Sequence, residues 1–233
     1  MNFRHEWKHE VNVSDLLILR QRLASIAHPD PHAIHGQYHV RSLYFDSPSD
    51  KALYDKLNGV NYREKFRIRF YNLDPSLIHL EKKIKVNGLC QKFTAPLSAI
   101  QVQRILFGNF SWMSSSSDPL VLEFYSKIRS QCLAPKVIVD YLREPFVYSP
   151  GNVRVTLDHH IRSGSDCSQF LSPHCVTLPA GEWLILLEVK WDAFLPSVIQ
   201  RAVQLEGRRM SAFSKYAQCR CTQCLQPRCE EGW

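Results

Sequence analysis

No apolar run in this chain approaches the length that crosses a bilayer, so no spanning helix is expected. A cleavable leader is not expected either, because MNFRHEWKHE is charged and passes directly into a strand-like alternation. The eight cysteines are therefore read as thiols, and the chain as cytoplasmic. Neither an internal repeat nor a linker divides the 233 residues, and the expectation is one domain over 1–221 with a cysteine-containing tail over 222–233. The ten histidines fall at no metal-ligand spacing, and no Ser-His-Asp or Cys-His arrangement is called for. Aromatic residues do not interleave with the basic stripes as a base-stacking platform would, which argues against nucleic acid as a partner.

Acids are outnumbered, 22 against 29 lysines and arginines, a formal charge of +7 that favours anionic partners. The tail carries Cys219, Cys221, Cys224 and Cys229. The spacing of Cys221 and Cys224 is that of a zinc hook, but structural sites pair two such hooks a dozen or more residues apart. A solvated tail is the expectation, with zinc as the alternative.

What the chain does have is a repeated two-faced strand. In YREKFRIRFY (62–71), side-chain alternation puts Arg63, Lys65, Arg67 and Arg69 on one face and Phe66, Ile68 and Phe70 on the other. Like charges set so close repel, so an anion is expected to fill the space they face. An edge strand blunted by basic residues is the bland alternative. The pattern recurs. Residues 77–86 place Glu81, Lys83 and Lys85 opposite Ile78, Leu80 and Ile84; residues 183–191 place Glu188 and Lys190 opposite Ile185, Leu187 and Val189. Arg4, Glu6, Lys8 and Glu10 alternate at the start, and Arg154, Thr156 and Asp158 lie opposite Val153, Val155 and Leu157. Residues 137–146 are less regular, with Arg143 among Val137, Val139 and Tyr141.

An inside and an outside on every strand describes a closed antiparallel barrel. The fold class expected is α+β: a closed eight-stranded barrel with a hydrated cationic lumen, its apolar faces turned out beneath helices. An open sheet with one wet face is the competitor. Helices are expected from Ser14-Asp15, over DKALYDKL, over 99–107 behind Ser98, over 119–133, after Pro196 and over 211–221. Asn87-Gly88 marks a hairpin.

RHEWKHE (4–10), VRSLYFDS (40–47), YREKFRIRFY (62–71), LEKKIK (80–85), VDYLREPF (139–146), RVTLD (154–158), LEVKWDAFLP (187–196) and SKYAQC (214–219) come in an order that resembles the VTC domain. That is the polyphosphate polymerase domain of the vacuolar transporter chaperone, in the triphosphate tunnel metalloenzyme superfamily. The resemblance implies an eight-stranded tunnel in which a divalent metal, Mn2+ or Mg2+, assists transfer of the terminal phosphate of ATP to a growing polyphosphate. By similarity, Lys8, Arg67, Arg69, Lys83, Arg143, Arg154 and Lys215 would hold phosphates, and Glu188 would bind the metal; Glu6, Glu81 and Asp158 are candidate helpers, since an acid among phosphate-binding cations is explained by a hard divalent ion. Lys85 and Lys190 join the substrate set, although for these and Arg63 a salt bridge or solvated stem is an equal reading. Of these acids, Glu81 and Asp158 are read in preference as ion-pair partners that hold neighbouring cations, and Tyr44 and Asp46 are read as structural. Position 4 departs from the E-x-E-x-K opening of the wider superfamily, since Arg4 replaces an acid. Fungal relatives add a regulatory SPX domain and membrane helices; neither is expected in these residues, and a separate membrane protein is left open as a partner. Two alternatives stand beside the polymerase: a triphosphate or tripolyphosphate hydrolase in the same tunnel, and a non-catalytic polyphosphate-binding module.

Overall fold

The computed structural model describes residues 3–225, with side chains through 223. In chain order the elements are β1 (His5–Val11), α1 (Val13–Ala24), β2 (His28–Pro29), β3 (Tyr38–Asp46), α2 (Lys51–Leu57), β4 (Arg63–Tyr71), β5 (Asp74–Val86) and β6 (Leu89–Leu97). Then follow α3 (Ala99–Leu106), α4 (Pro119–Gln131), β7 (Ala134–Tyr148), β8 (Val153–Gly164), β9 (Leu178–Pro179), β10 (Ile185–Trp191), α5 (Ser197–Val203) and α6 (Lys215–Leu225). Eight strands form one antiparallel path in the order β1-β10-β8-β7-β3-β4-β5-β6; the short β2 and β9 add to β7 and β8.

Local chemistry accounts for the element ends. Asn12, not Ser14, caps α1 in a reciprocal box with Asp15, and Ser98 caps α3 with Gln101 in the same way. Asp46 accepts from the backbone N–H groups of Ser47, Ala52 and Leu53 and from the Tyr216 hydroxyl, tying the end of β3 to α2 and α6. Asn87 and Gly88 both have positive φ, 46° and 86°, the turn that matches the twist of a two-residue hairpin.

The outward apolar faces bury two cores. Phe45, Phe66, Ile68, Phe70, Ile78 and Leu80 pack under α3 and α4, with Phe124 of α4 fully enclosed between Phe45 and Phe66. Val155, Leu157, Leu187 and Val189 pack under Leu19 and Leu23 of α1 and Ile199 of α5. Cutting a side chain such as Phe124 to alanine would cost about 3–5 kcal/mol.

Two expectations need correction. The sheet is curled but open: its edge strands β1 and β6 meet only at an isolated bridge, where Arg4 and Cys90 exchange N–H···O bonds of 2.9 and 3.0 Å. Beyond that bridge the free edge of β1 is taken by the segment before α6. Ser211 N–H donates to the Lys8 carbonyl at 2.8 Å, and the Lys8 ammonium donates to the Phe213 carbonyl at 3.3 Å. A strand edge already occupied cannot complete a barrel.

The helices also do not all lie outside. Tyr216, Ala217 and Cys219 of α6 pack on the concave side against Val40, Val137, Val139 and Ile161. The concave face is apolar there, and Tyr216 stacks on Tyr44 at 5.1 Å.

Candidate functional site

The curl encloses a cavity of about 410 Å³ lined by eleven lysines and arginines and two glutamates. Lys65, Arg67 and Arg69 of β4 reach it, and register decides what stands opposite: Arg67 faces Glu81, Lys65 faces Lys83, and Lys83 in turn faces Lys92 across the Asn87-Gly88 hairpin.

Acids beneath the lining hold most of these cations. Glu81 accepts from Arg67 at 2.6–2.7 Å and from Lys92 at 2.8 Å. Asp158 takes both arms of Arg143, at 2.6 and 2.7 Å, and the Lys215 ammonium at 2.5 Å. Arg154 donates to Asp30 at 2.7 Å and to the Tyr38 hydroxyl at 2.6 Å, while its buried Nε has no partner. Arg69 rests on neutral groups, Ser42 at 2.9 Å and the Tyr141 hydroxyl at 3.1 Å, with Glu81 at 3.7 Å. Lys65 donates only to Ser214, at 3.0 Å, and has no carboxylate partner among the described residues. Burial, then the charges of Lys8, Lys83 and Arg63, push the Lys65 ammonium well below the usual lysine range. Several strong charges held in place with donors left over are preorganised in a way that suits an anion.

Two carboxylates do reach the cavity. Glu6 accepts from Lys83 at 2.6 Å and lies 3.5 Å from Lys8; Glu188 pairs with Lys190 at 2.6 Å and lies 3.6 Å from Arg143. Burial alone would raise both, but the surrounding cations outweigh it. Lys8 and Lys83 hold Glu6 at about 2, and Lys190 and Lys8 hold Glu188 well below the carboxylate range. Lys190 itself is lowered to about 8 by burial, against the pull of Glu188 and Glu6.

Among the described residues no three His, Cys, Asp or Glu side chains converge as a metal cage. Two ionised carboxylates among this many cations instead fit a hard divalent ion that would take the rest of its oxygens from a bound anion, as Mg2+ commonly does with phosphate. Glu6 and Glu188 are the residues that would hold it. When bound, such an ion neutralises charge on the transferring phosphoryl group.

The structure gathers Lys8, Arg67, Arg69, Lys83, Arg143, Arg154, Lys190, Lys215, Glu6 and Glu188 around this one cavity. Lys85 is not part of its lining. The sequence reading left out Lys65, Lys92 and Arg4 as site residues, and four tyrosines, Tyr38, Tyr44, Tyr71 and Tyr141, that also border it. The Lys92 signal was present, because the Asn87-Gly88 turn fixes its register with Lys83. Tyr44, read as structural, accepts from Arg67 at 2.9 Å while its ring faces that guanidinium. Cys219 is buried in α6 and Cys221 is exposed; both are free, whereas the Cys224 side chain and Cys229 lie outside the described residues.

Solved structures with the triphosphate tunnel fold are similar to this one. The putative adenylyl cyclase HpAC1 from Hippeastrum, described as having a dominant triphosphatase activity, matches with a TM-score of 0.54 and 14% identity over 95% of this chain and 96% of that one. A putative adenylate cyclase from Bacillus halodurans matches with a TM-score of 0.48 and 15% identity, covering 81% and 80% of the two chains. The chain belongs to the VTC domain family, which it matches over residues 3–223. No curated protein sequence matches it.

Proposed function

We propose that this chain is a metal-dependent polyphosphate polymerase that moves the terminal phosphate of a nucleoside triphosphate, ATP first, onto a polyphosphate chain in the cavity. The observation that carries this reading is a lumen of eleven cations into which two ionised carboxylates, Glu6 and Glu188, project. A pure polyanion binder gains nothing from acids that repel its ligand, whereas a divalent ion shared with phosphate oxygens gives them a purpose.

Phosphoryl transfer asks the protein to neutralise charge and to hold attacking and leaving oxygens in line. Arg67, Arg69, Arg143 and Arg154 offer planar forks to successive phosphates, a geometry lysine does not match. Lys8, Lys83, Lys190 and Lys215 act as point charges, and Glu188 with Glu6 would hold Mn2+ or Mg2+, which would neutralise charge on the transferring phosphoryl group.

Family membership supports transfer to phosphate over hydrolysis. An ionised phosphate acceptor needs no base. The second reading, a triphosphatase, draws on the activity described for HpAC1. The free cysteines suit a reducing cytoplasm. Among the described residues no helix is long and apolar enough to cross a membrane.

Incubation of the purified protein with ATP and Mn2+, with products resolved by gel, tests the reading. A polyphosphate ladder is expected. Orthophosphate alone overturns the polymerase in favour of the hydrolase, and anion binding without any product leaves the binding module.

A further inference from the structure

The basic stripe does not stop where the cavity does. On β4 and β5 the next inward pair beyond Lys65 and Lys83 is Arg63 opposite Lys85, two like charges directly across from each other. Such a pair is destabilising unless something anionic lies between or over it. A third cation joins them from another element: Lys56, in the last turn of α2, is half-buried, and its ammonium is lowered first by burial and then by Arg63, Lys8 and Lys85.

None of these three has a carboxylate partner within 4 Å among the described residues; Arg63 donates only to the Val60 carbonyl, at 2.6 Å. The cavity is bordered differently beside the turn at 149–152. There Arg154 is held by Asp30 and Arg4 by Asp192, each at 2.7 Å, so that each cation carries its own counter-charge. The asymmetry is the point. Where the protein supplies an acid, the cation has its local counter-charge; where it supplies none, the counter-charge has to come from outside.

Lys8 links the two regions, because it lines the cavity and its charge also reaches Lys56. A linear anion lying against Lys65 and Lys83 and extended by two or three phosphates along the strands would next meet Arg63, Lys85 and Lys56.

We propose that Lys56, Arg63 and Lys85 form a second anion site outside the cavity, which takes the continuation of a linear inorganic polyphosphate whose terminal phosphates occupy the lumen. This deepens the polymerase reading and rests on it for the identity of the chain, since it assigns the side on which the product emerges. A short anion such as tripolyphosphate fills the lumen and does not reach the outer site, so the two ligands discriminate between them.

The test is isothermal titration of tripolyphosphate and of long-chain inorganic polyphosphate into the wild-type protein and Lys56→Gln/Arg63→Gln, with chelator present to prevent turnover. Thermal denaturation of both proteins checks that the variant folds, which the relief of repulsion favours. The long chain is expected to lose roughly tenfold in affinity, the size of two screened ionic contacts, so that the ratio of long-chain to tripolyphosphate affinity falls by that factor. The wild-type preference for the long chain is expected to weaken as salt rises, because the outer cations are half-exposed. An unchanged ratio overturns the outer site, as does a loss confined to tripolyphosphate, which would place the short anion there. Because nothing turns over, the two readings separate. A collapsed ratio beside an orthophosphate-only ATP reaction keeps the site and removes the polymerase; a product ladder beside an unchanged ratio does the reverse.

Discussion

Arg143 grips Asp158 with two parallel bonds, Nε to Oδ1 at 2.6 Å and Nη2 to Oδ2 at 2.7 Å, under a lumen wall where neither is open to bulk water. The same carboxylate holds Lys215 of α6 at 2.5 Å, so one acid on β8 sets cations from a strand and from the C-terminal helix. Removing one member of a buried pair leaves the other charge uncompensated. Asp158→Asn is expected to lower stability by about 3–5 kcal/mol, read as a fall in the urea midpoint. Tripolyphosphate should restore more of that loss than it adds to the wild type, because the anion replaces the missing charge. A smaller ligand-induced rise in melting temperature than in the wild type would show that Asp158 does not support the site.

Arg67 and Arg69 cannot be removed without regard to Glu81. Arg67 is that carboxylate's principal partner, and only Lys92 would remain close. Arg67→Ala/Arg69→Ala is expected to unfold more readily and to lose the melting-temperature rise given by pyrophosphate. Adding Glu81→Gln should recover stability without recovering the ligand response. Recovery of the ligand response in the triple variant would mean that the two arginines do not bind phosphate.

Glu188→Gln keeps an acceptor for Lys190 but removes the charge that would balance a divalent ion. Turnover of ATP with Mn2+ is expected to fall about 10²–10³-fold, the scale of losing a main electrostatic contact in a site of this kind. Tripolyphosphate affinity measured with chelator should hold or rise. Near-normal turnover would transfer the metal to Glu6.

A pH effect is expected away from the lumen. Burial would raise the Glu144 carboxyl, but hydrogen bonds from His159 at 2.7 Å and Arg20 at 2.5 Å outweigh it and lower it to about 2. A folded-state value below that of the unfolded chain means the stabilisation is present in full above the unfolded value of 4.5 and is lost as pH falls toward 2. Urea midpoints followed from pH 6 to pH 2 should drop less steeply in Glu144→Gln than in the wild type. Parallel curves would remove Glu144 as a contributor.

The alternating strands were legible because side-chain period is local: Arg67 and Arg69 could be set on one face without knowing their neighbours. Hairpin register was legible where a turn signal such as Asn87-Gly88 fixed it. The position of α6 was not, because it depends on how far along each strand the concave face stays polar. Its trace was the irregular stretch 137–146, where Val137 and Val139 share a face with Arg143 to receive Tyr216 and Ala217. His160, at φ 51°, lies where the β7–β8 register slips, and the alternation read from Arg154 through Asp158 does not carry past it. Closure of the sheet was misread for a similar reason, since the segment that occupies the β1 edge around Ser211 has no strand signature of its own.

The bridge between Arg4 and Cys90 makes the lumen a clasp and not a pipe. Two main-chain bonds, each worth about 1 kcal/mol net, are all the pairing that joins the first strand to the sixth. Parting them would leave only side-chain links across that seam, the Glu6–Lys83 ion pair at 2.6 Å and the Lys65–Ser214 bond at 3.0 Å, while every other ladder stayed intact. A phosphate polymer held inside would compete for those same lysines, and with them released it could leave broadside, without being drawn out link by link past each arginine.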